Sequence, residues 1–180
     1  MACDITLADV NFSCDDLGIG GLKRVLIGNK TDLVSVVAVA NNVVTVTPAT
    51  TGLDTDADVI EIQFNLKDGF SVFSEVKTVS ADGVVSSVPT ISIEIPKMST
   101  SHRNALDNIA KPGAELVAFI ETAAGTYHMV GWGYGLYAAS VDGNSGTGRS
   151  EKNRYQLTLT GEEDSLSYNI ESAEWADVIA

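Results

Sequence analysis

Hydrophobic and polar positions alternate with a period of two through much of this chain, in short runs divided by turn residues. Ile60, Ile62, Phe64 and Leu66 alternate with Glu61, Gln63, Asn65 and Lys67. An extended segment with that pattern turns one apolar face inward and one polar face outward. The same grammar sets Ile91, Ile93 and Ile95 against Ser92 and Glu94, and Tyr155, Leu157 and Leu159 against Gln156, Thr158 and Thr160. Ribbons with one dry and one wet face predict antiparallel sheet.

Turn residues join these runs into hairpins. Val34 to Val39 and Val43 to Thr47 flank Asn41-Asn42, a pair that tolerates the left-handed backbone of a tight turn. A longer ribbon, Phe70 to Val79 and Val84 to Ile95, turns through Ala81-Asp82-Gly83, and Pro89 and Pro96 confine its pairing to edges or ends. A third hairpin runs from Glu115 to Thr122, turns at Ala123-Ala124-Gly125 and returns from Thr126 to Trp132. One segment has helical spacing instead. Ser99, Thr100 and Ser101 offer an N-cap, Ala105, Leu106, Ile109 and Ala110 form a stripe, and Pro112-Gly113 closes it. A lone amphipathic helix must bury its stripe against the sheet or plug the end of a sandwich or barrel. Gly131, Gly133 and Gly135 predict a kinked or bulged strand, and Asp142 to Ser150 and residues 48–58 predict exposed loops. The stretch Glu171 to Ala180, with Trp175 and Ile179, predicts a strand or arm that docks elsewhere.

Charge narrows the function classes. The 180 residues carry 11 Lys and Arg against 24 Asp and Glu, a net charge of −13. Gripping a phosphate backbone needs clustered cations, and here only Lys23 and Arg24 adjoin. At 44% hydrophobic and 19% charged, the chain has the composition of a folded domain rather than a disordered one. Met1-Ala2-Cys3-Asp4 lacks the basic and apolar regions of a signal peptide, which predicts synthesis in a cytoplasm. The most apolar stretch, Leu33 to Val46, is broken by Ser35, Asn41, Asn42 and Thr45 and falls short of a membrane span.

Motifs for chemistry are sparse. Gly143 to Ser150 has the spacing of a phosphate-binding loop, with Arg149 where lysine belongs, but the residues that follow alternate as a strand instead of opening a helix. Asp54, Asp56 and Asp58 resemble the start of a calcium loop, yet Val59 and Asn65 stand where glycine and glutamate are required. Cys3 and Cys14 are too few for a disulfide framework, and neither His102 nor His128 lies at ligand spacing from them. Glu162-Glu163-Asp164 is a carboxylate cluster whose members alternate faces on an extended chain. The expectation is a protein that is not an enzyme and has no cofactor or metal.

Two blocks carry a resemblance. Met1-Ala2-Cys3, Cys14-Asp15-Asp16 and Gly20 to Ile27 open the chain, and Gly131-Trp132-Gly133-Tyr134-Gly135-Leu136 leads through a Gly/Ser/Thr loop to Tyr155 to Glu163. Together they cover about a third of the chain, and they resemble virion structural proteins of tailed bacteriophages, most of all the tail tube or major tail proteins. The resemblance implies one domain over residues 1–180, a β-sandwich or half-barrel with one flanking helix, terminal arms and a long hairpin at about 70–96. It also implies a virion location in the tail, with copies of the chain in stacked, hexameric rings, other tail proteins as partners, no membrane, and DNA only in transit. On that basis Glu61, Gln63, Asn65 and Glu94 are expected on the lumen wall, where acid would repel DNA and keep it sliding. Ala81, Asp82 and Gly83 are expected at contacts between rings. A capsid decoration protein fits the same composition, and a carbohydrate-binding sandwich displaying Trp132, Tyr134 and Tyr137 is an alternative of another class.

Overall fold

The computed structural model describes residues 20–34, 37–40, 43–46, 59–63, 71–148 and 151–179. In chain order these form β1 (Leu22–Asn29), α1 (Lys30–Leu33), β2 (Val37–Ala40), β3 (Val43–Val46), β4 (Val59–Gln63), β5 (Val72–Val79) and β6 (Val85–Pro96). Then come α2 (Thr100–Ile109), β7 (Leu116–Thr122), β8 (Tyr127–Val130), β9 (Leu136–Asn144), β10 (Arg154–Gly161), β11 (Tyr168–Ile170) and α3 (Ser172–Ile179). The protein is mainly β and antiparallel, as the alternation predicts, and its sheet curls into a half-barrel, the form the resemblance implies. Among the described residues nine strands form that sheet, and β2 and β3 pair separately with Val37 opposite Val46.

Two wings make up the curl. In one, β7 pairs with β1 and β8, and β4 and β11 extend it at its two sides. In the other, β9, β10, β6 and β5 follow in that order. The wings meet where Leu116 of β7 pairs with Leu136 of β9. Gly131 holds this corner close. It has φ of +85°, and a Cβ there would lie 2.6 Å from Leu136 Cγ and 2.7 Å from the Leu116 carbonyl oxygen, so no other residue fits without displacement. The predicted bulged strand at Gly131 to Gly135 is therefore a tight connection between β8 and β9.

Side chains between the wings form the first core. Val25, Ile27, Ala118, Ile120 and Val130 face Ile91, Ile93, Leu136, Leu157 and Leu159, and Leu106 and Ile109 of α2 pack against the same cluster. The helix starts where Ser99 accepts from the His102 amide and ends just before Lys111-Pro112-Gly113, in agreement with its spacing.

A second core lies on the other face of the β1–β7–β8 wing. Leu26, Val117, Phe119, Met129 and Ile170 are buried there with Leu33 of α1, Val37, Val44 and Val46 of the small hairpin, and Trp175 and Val178 of α3. The carboxyl-terminal stretch thus docks as a helix, so the described residues hold three helical segments where one was expected. Its apolar residues recur at Trp175, Val178 and Ile179, which is helical spacing compressed into two turns. Trp175 stacks on Tyr127 with ring centroids 4.8 Å apart, and Glu174 accepts from the Val46 amide at 2.8 Å. These contacts make β7 dry on both sides, and Leu116 to Ile120 are all buried. The Asn41-Asn42 turn, Phe64 to Phe70, Cys3, Cys14, the Asp54 to Asp58 loop and the amino-terminal arm to residue 19 lie outside the described residues.

Trp175→Ala should cost about 3–5 kcal/mol, the usual loss for a buried indole. Urea denaturation followed by far-ultraviolet circular dichroism will measure it, and a loss below about 1 kcal/mol would show that α3 contributes little to the second core.

Candidate functional site

Among the described residues, the β5–β6 hairpin carries a long exposed run. Its register runs from Val72 opposite Ser92 to Val79 opposite Val85. The turn is closed by the Ser80 amide donating to the Val84 carbonyl at 2.8 Å and the Gly83 amide donating to Ser80 at 3.0 Å. Gly83 has φ of +81°, the left-handed geometry that the sequence placed on a glycine. Ala81, Asp82 and Gly83 form the exposed tip. Every residue from Val76 to Val85 is exposed, with Val76 at 59%, Val79 at 69% and Val84 at 64%. Two strands without a covering layer are marginal in water, so this ribbon is sustained at its root.

The root is polar and buried. Ser87 is fully buried, and its backbone forms a reciprocal bridge with Glu163, amide to carbonyl at 2.6 and 2.8 Å. The Glu75 carboxylate accepts from the Ser87 hydroxyl at 3.0 Å, the Ser167 amide at 2.8 Å and the Ser167 hydroxyl at 3.0 Å. Phe73 lies over His128 with ring centroids 6.0 Å apart. Burial holds the His128 imidazole below its ordinary 6.5, and the negative charge of Glu75 opposes that shift.

Glu163 also organises the glycine-rich connection. Its carboxylate accepts from the Gly133 amide at 2.8 Å and the Tyr134 amide at 3.1 Å. Lys30 donates to the Gly133 carbonyl on the same connection. Desolvation raises the Glu163 carboxyl above its ordinary 4.5, against the pull of the Tyr134, Gly133 and Gly135 amides and the charge of Lys30. A Cβ at Gly133 would fall 2.3 Å from the Glu163 oxygen, so a larger residue there would displace the carboxylate. The three-carboxylate cluster alternates as the extended-chain rule demands, with Glu163 buried and Glu162 and Asp164 exposed. Asp164 accepts from the Tyr134 hydroxyl at 3.0 Å.

Directly paired residues share a face, so the outward side of the β5–β6–β10 wing carries Ser74, Thr90, Ser92, Gln156, Thr158 and Thr160. This wall is rich in hydroxyls rather than charge. Glu94 belongs to it but is only 9% exposed, and it is paired with Arg154 and, at 3.2 Å, with Lys152. A carboxylate neutralised by two cations does not present the repelling charge expected of a lumen residue. Nor does it sit with the other candidates. Glu61 and Gln63 belong to β4 in the opposite wing, opposite Leu26 and Arg24 of β1, and Asn65 lies outside the described residues.

Gly143 and Asn144 end β9, the Thr147 amide and hydroxyl both donate to Glu151, and among the described residues the next element is the strand β10. His102 faces the Lys97 carbonyl at 2.9 Å. Trp132 packs on the second core while Tyr134 and Tyr137 are exposed, so the three aromatics do not share one setting. Among the described residues no three His, Cys, Asp or Glu cluster at metal-binding distance, and no helix is long and apolar enough to cross a membrane. The cleft lined by Asn29, Asp32, Asn108, Lys111 and Pro112 at the end of α2 has a volume of about 600 Å³ and is open to solvent.

Glu163→Gln keeps the shape but turns an amide donor toward backbone N–H groups. It should cost roughly 1–3 kcal/mol and speed hydrogen exchange at Gly133 and Tyr134, as measured by urea denaturation and amide exchange. No protein-family model matches this chain, and searches of curated proteins and of solved structures found no match either.

Proposed function

We propose that this chain is a structural virion subunit that associates with its own copies into stacked rings, forming a tail tube through which DNA passes. The observation that carries this reading is the distal β5–β6 ribbon, whose valines stand exposed on a strand at the end of the sheet. Among the described residues no strand pairs with the outer side of β5, and an edge of that kind is a template for another strand. The ribbon also suits a strongly anionic chain. Between Val76 and Ser86 the only charged side chains are Lys77 and Asp82, which cancel, so copies carrying −13 each can meet there without adding like charge.

Other features support the same reading. The alternating strands, the curled antiparallel sheet and the acidic composition fit a wall component better than a nucleic-acid reader. The wall mechanism changes in one respect from the expectation based on Glu94. With Glu94 engaged by Lys152 and Arg154, this face offers passing DNA mostly uncharged hydroxyls, and repulsion rests on the net negative charge of the chain and not on that carboxylate. The hexameric ring and the tail proteins at either end belong to this proposal through the resemblance.

Negative-stain electron microscopy of the purified chain at high concentration tests it. Tubes or stacked rings are expected. Replacing residues 78–86 with Asn-Gly, which keeps Lys77 opposite Ser87, should leave a folded chain that no longer assembles. A wild-type chain that stays a lone particle would defeat the proposal, and particles that coat only capsids would favour a decoration role.

A further inference from the structure

The hairpin root couples a titratable ring to the carboxylate that holds the ribbon. His128 projects from β8, whose neighbours at that position are Ile120 of β7 and Asn169 of β11, neither of them charged. Phe73 of β5 covers the ring. Its Nε2 lies 3.2 Å from the Thr126 hydroxyl, while Nδ1 is sealed from solvent with no hydrogen-bond partner among the described residues. The charge that bears on it comes from Glu75, two residues along β5 from Phe73. Glu75 is already engaged with Ser87 and Ser167.

We infer that His128 and Glu75 form a proton-sensitive latch at the hairpin root, closed while the imidazole is neutral and loosened when it takes up a proton. A neutral ring can leave Nδ1 as an idle acceptor beneath Phe73 at modest cost. One proton from solvent turns that nitrogen into a cationic donor in a sealed position, where an unmet charge is expensive. Relief comes in two ways, and both loosen the root. Either Glu75 swings toward the imidazolium and gives up the Ser87 and Ser167 donors, or water enters beside Phe73 and lifts β5.

The sign follows from the direction of the shift. The folded value lies below 6.5, so the neutral ring is the form favoured by folding. The contribution of the latch is complete above 6.5 and is lost as the pH falls from there through the folded value. This device acts on the hairpin used in the assembly proposal but does not depend on it, because it is read on unassembled chain.

The test is nuclear magnetic resonance on the full chain at dilute, monomeric concentration. The His128 titration, assigned by its absence in His128→Gln, should have a midpoint below 6.5. In Glu75→Gln it should move lower still, since the opposing charge is gone. After correction for intrinsic exchange, the Ser167 amide should exchange several-fold faster at about pH 5.5 than at about pH 7.5, below and above the ordinary histidine value. That difference should vanish in His128→Gln. Equal protection at both pH values, a midpoint unmoved or raised by Glu75→Gln, or a pH difference that persists in His128→Gln would each overturn the latch. Should His128→Gln fail to fold, the comparison of wild type with Glu75→Gln decides alone.

Discussion

Burial of β7 on both faces is the constraint on which the rest of this structure depends. Leu116 to Ile120 are apolar without interruption because neither side of the strand meets water. Its backbone groups are met sideways by β1 and β8, so the strand loses solvent without losing hydrogen bonds. Each large side chain buried there contributes about 1.5–3 kcal/mol. That gain requires a cover on each face. One cover is the second wing with α2; the other is α1, the small β2–β3 hairpin and α3. The molecule is therefore layered around one strand, and the carboxyl-terminal helix is part of its core.

The second wing lives under the opposite regime. One face of β6 and β10 closes the first core through Ile91, Ile93, Leu157 and Leu159, and the other is left to Ser, Thr and Gln. Its stability comes from one dry face, so its outer strand can extend past the body only where polar anchors hold it. Glu75, Ser87, Glu163 and Ser167 supply those anchors. Buried polar groups of this kind are favourable only when every member is satisfied. At this root the sealed Nδ1 of His128 has no hydrogen-bond partner among the described residues, which is why a single proton can matter there.

Charge is placed with the same economy. The chain carries −13 overall, yet Glu94 is neutralised by Arg154 and Lys152, and Glu121 is paired with Lys23. Among the described residues the buried carboxylates lie beside cations or backbone amides, as the cost of burying a lone charge demands. The projecting ribbon is close to neutral. A surface that is apolar, neutral and at the edge of a sheet suits association, whereas the net negative charge of the remainder disfavours contact with phosphate polymers.

Much of the local structure was legible in the residues alone. Period-two alternation at Ile91 to Ile95 and Tyr155 to Leu159 located β6 and β10, Gly83 and Gly125 located two turns, and Ser99 with Pro112-Gly113 bounded α2. These signals are local, because backbone torsions and the parity of a strand are set within a few residues. Tertiary structure alone decided the rest. Nothing in Glu94 announces Arg154 sixty positions away, nothing in Glu163 announces the amides of Gly133 and Tyr134, and nothing in Trp175 announces Tyr127. Such partners are chosen by where the wings cross, and that crossing is fixed by contacts between residues far apart in the chain. Sequence by itself determined that there would be amphipathic ribbons and where each would bend; only their packing determined which face stayed wet and which charge went unopposed.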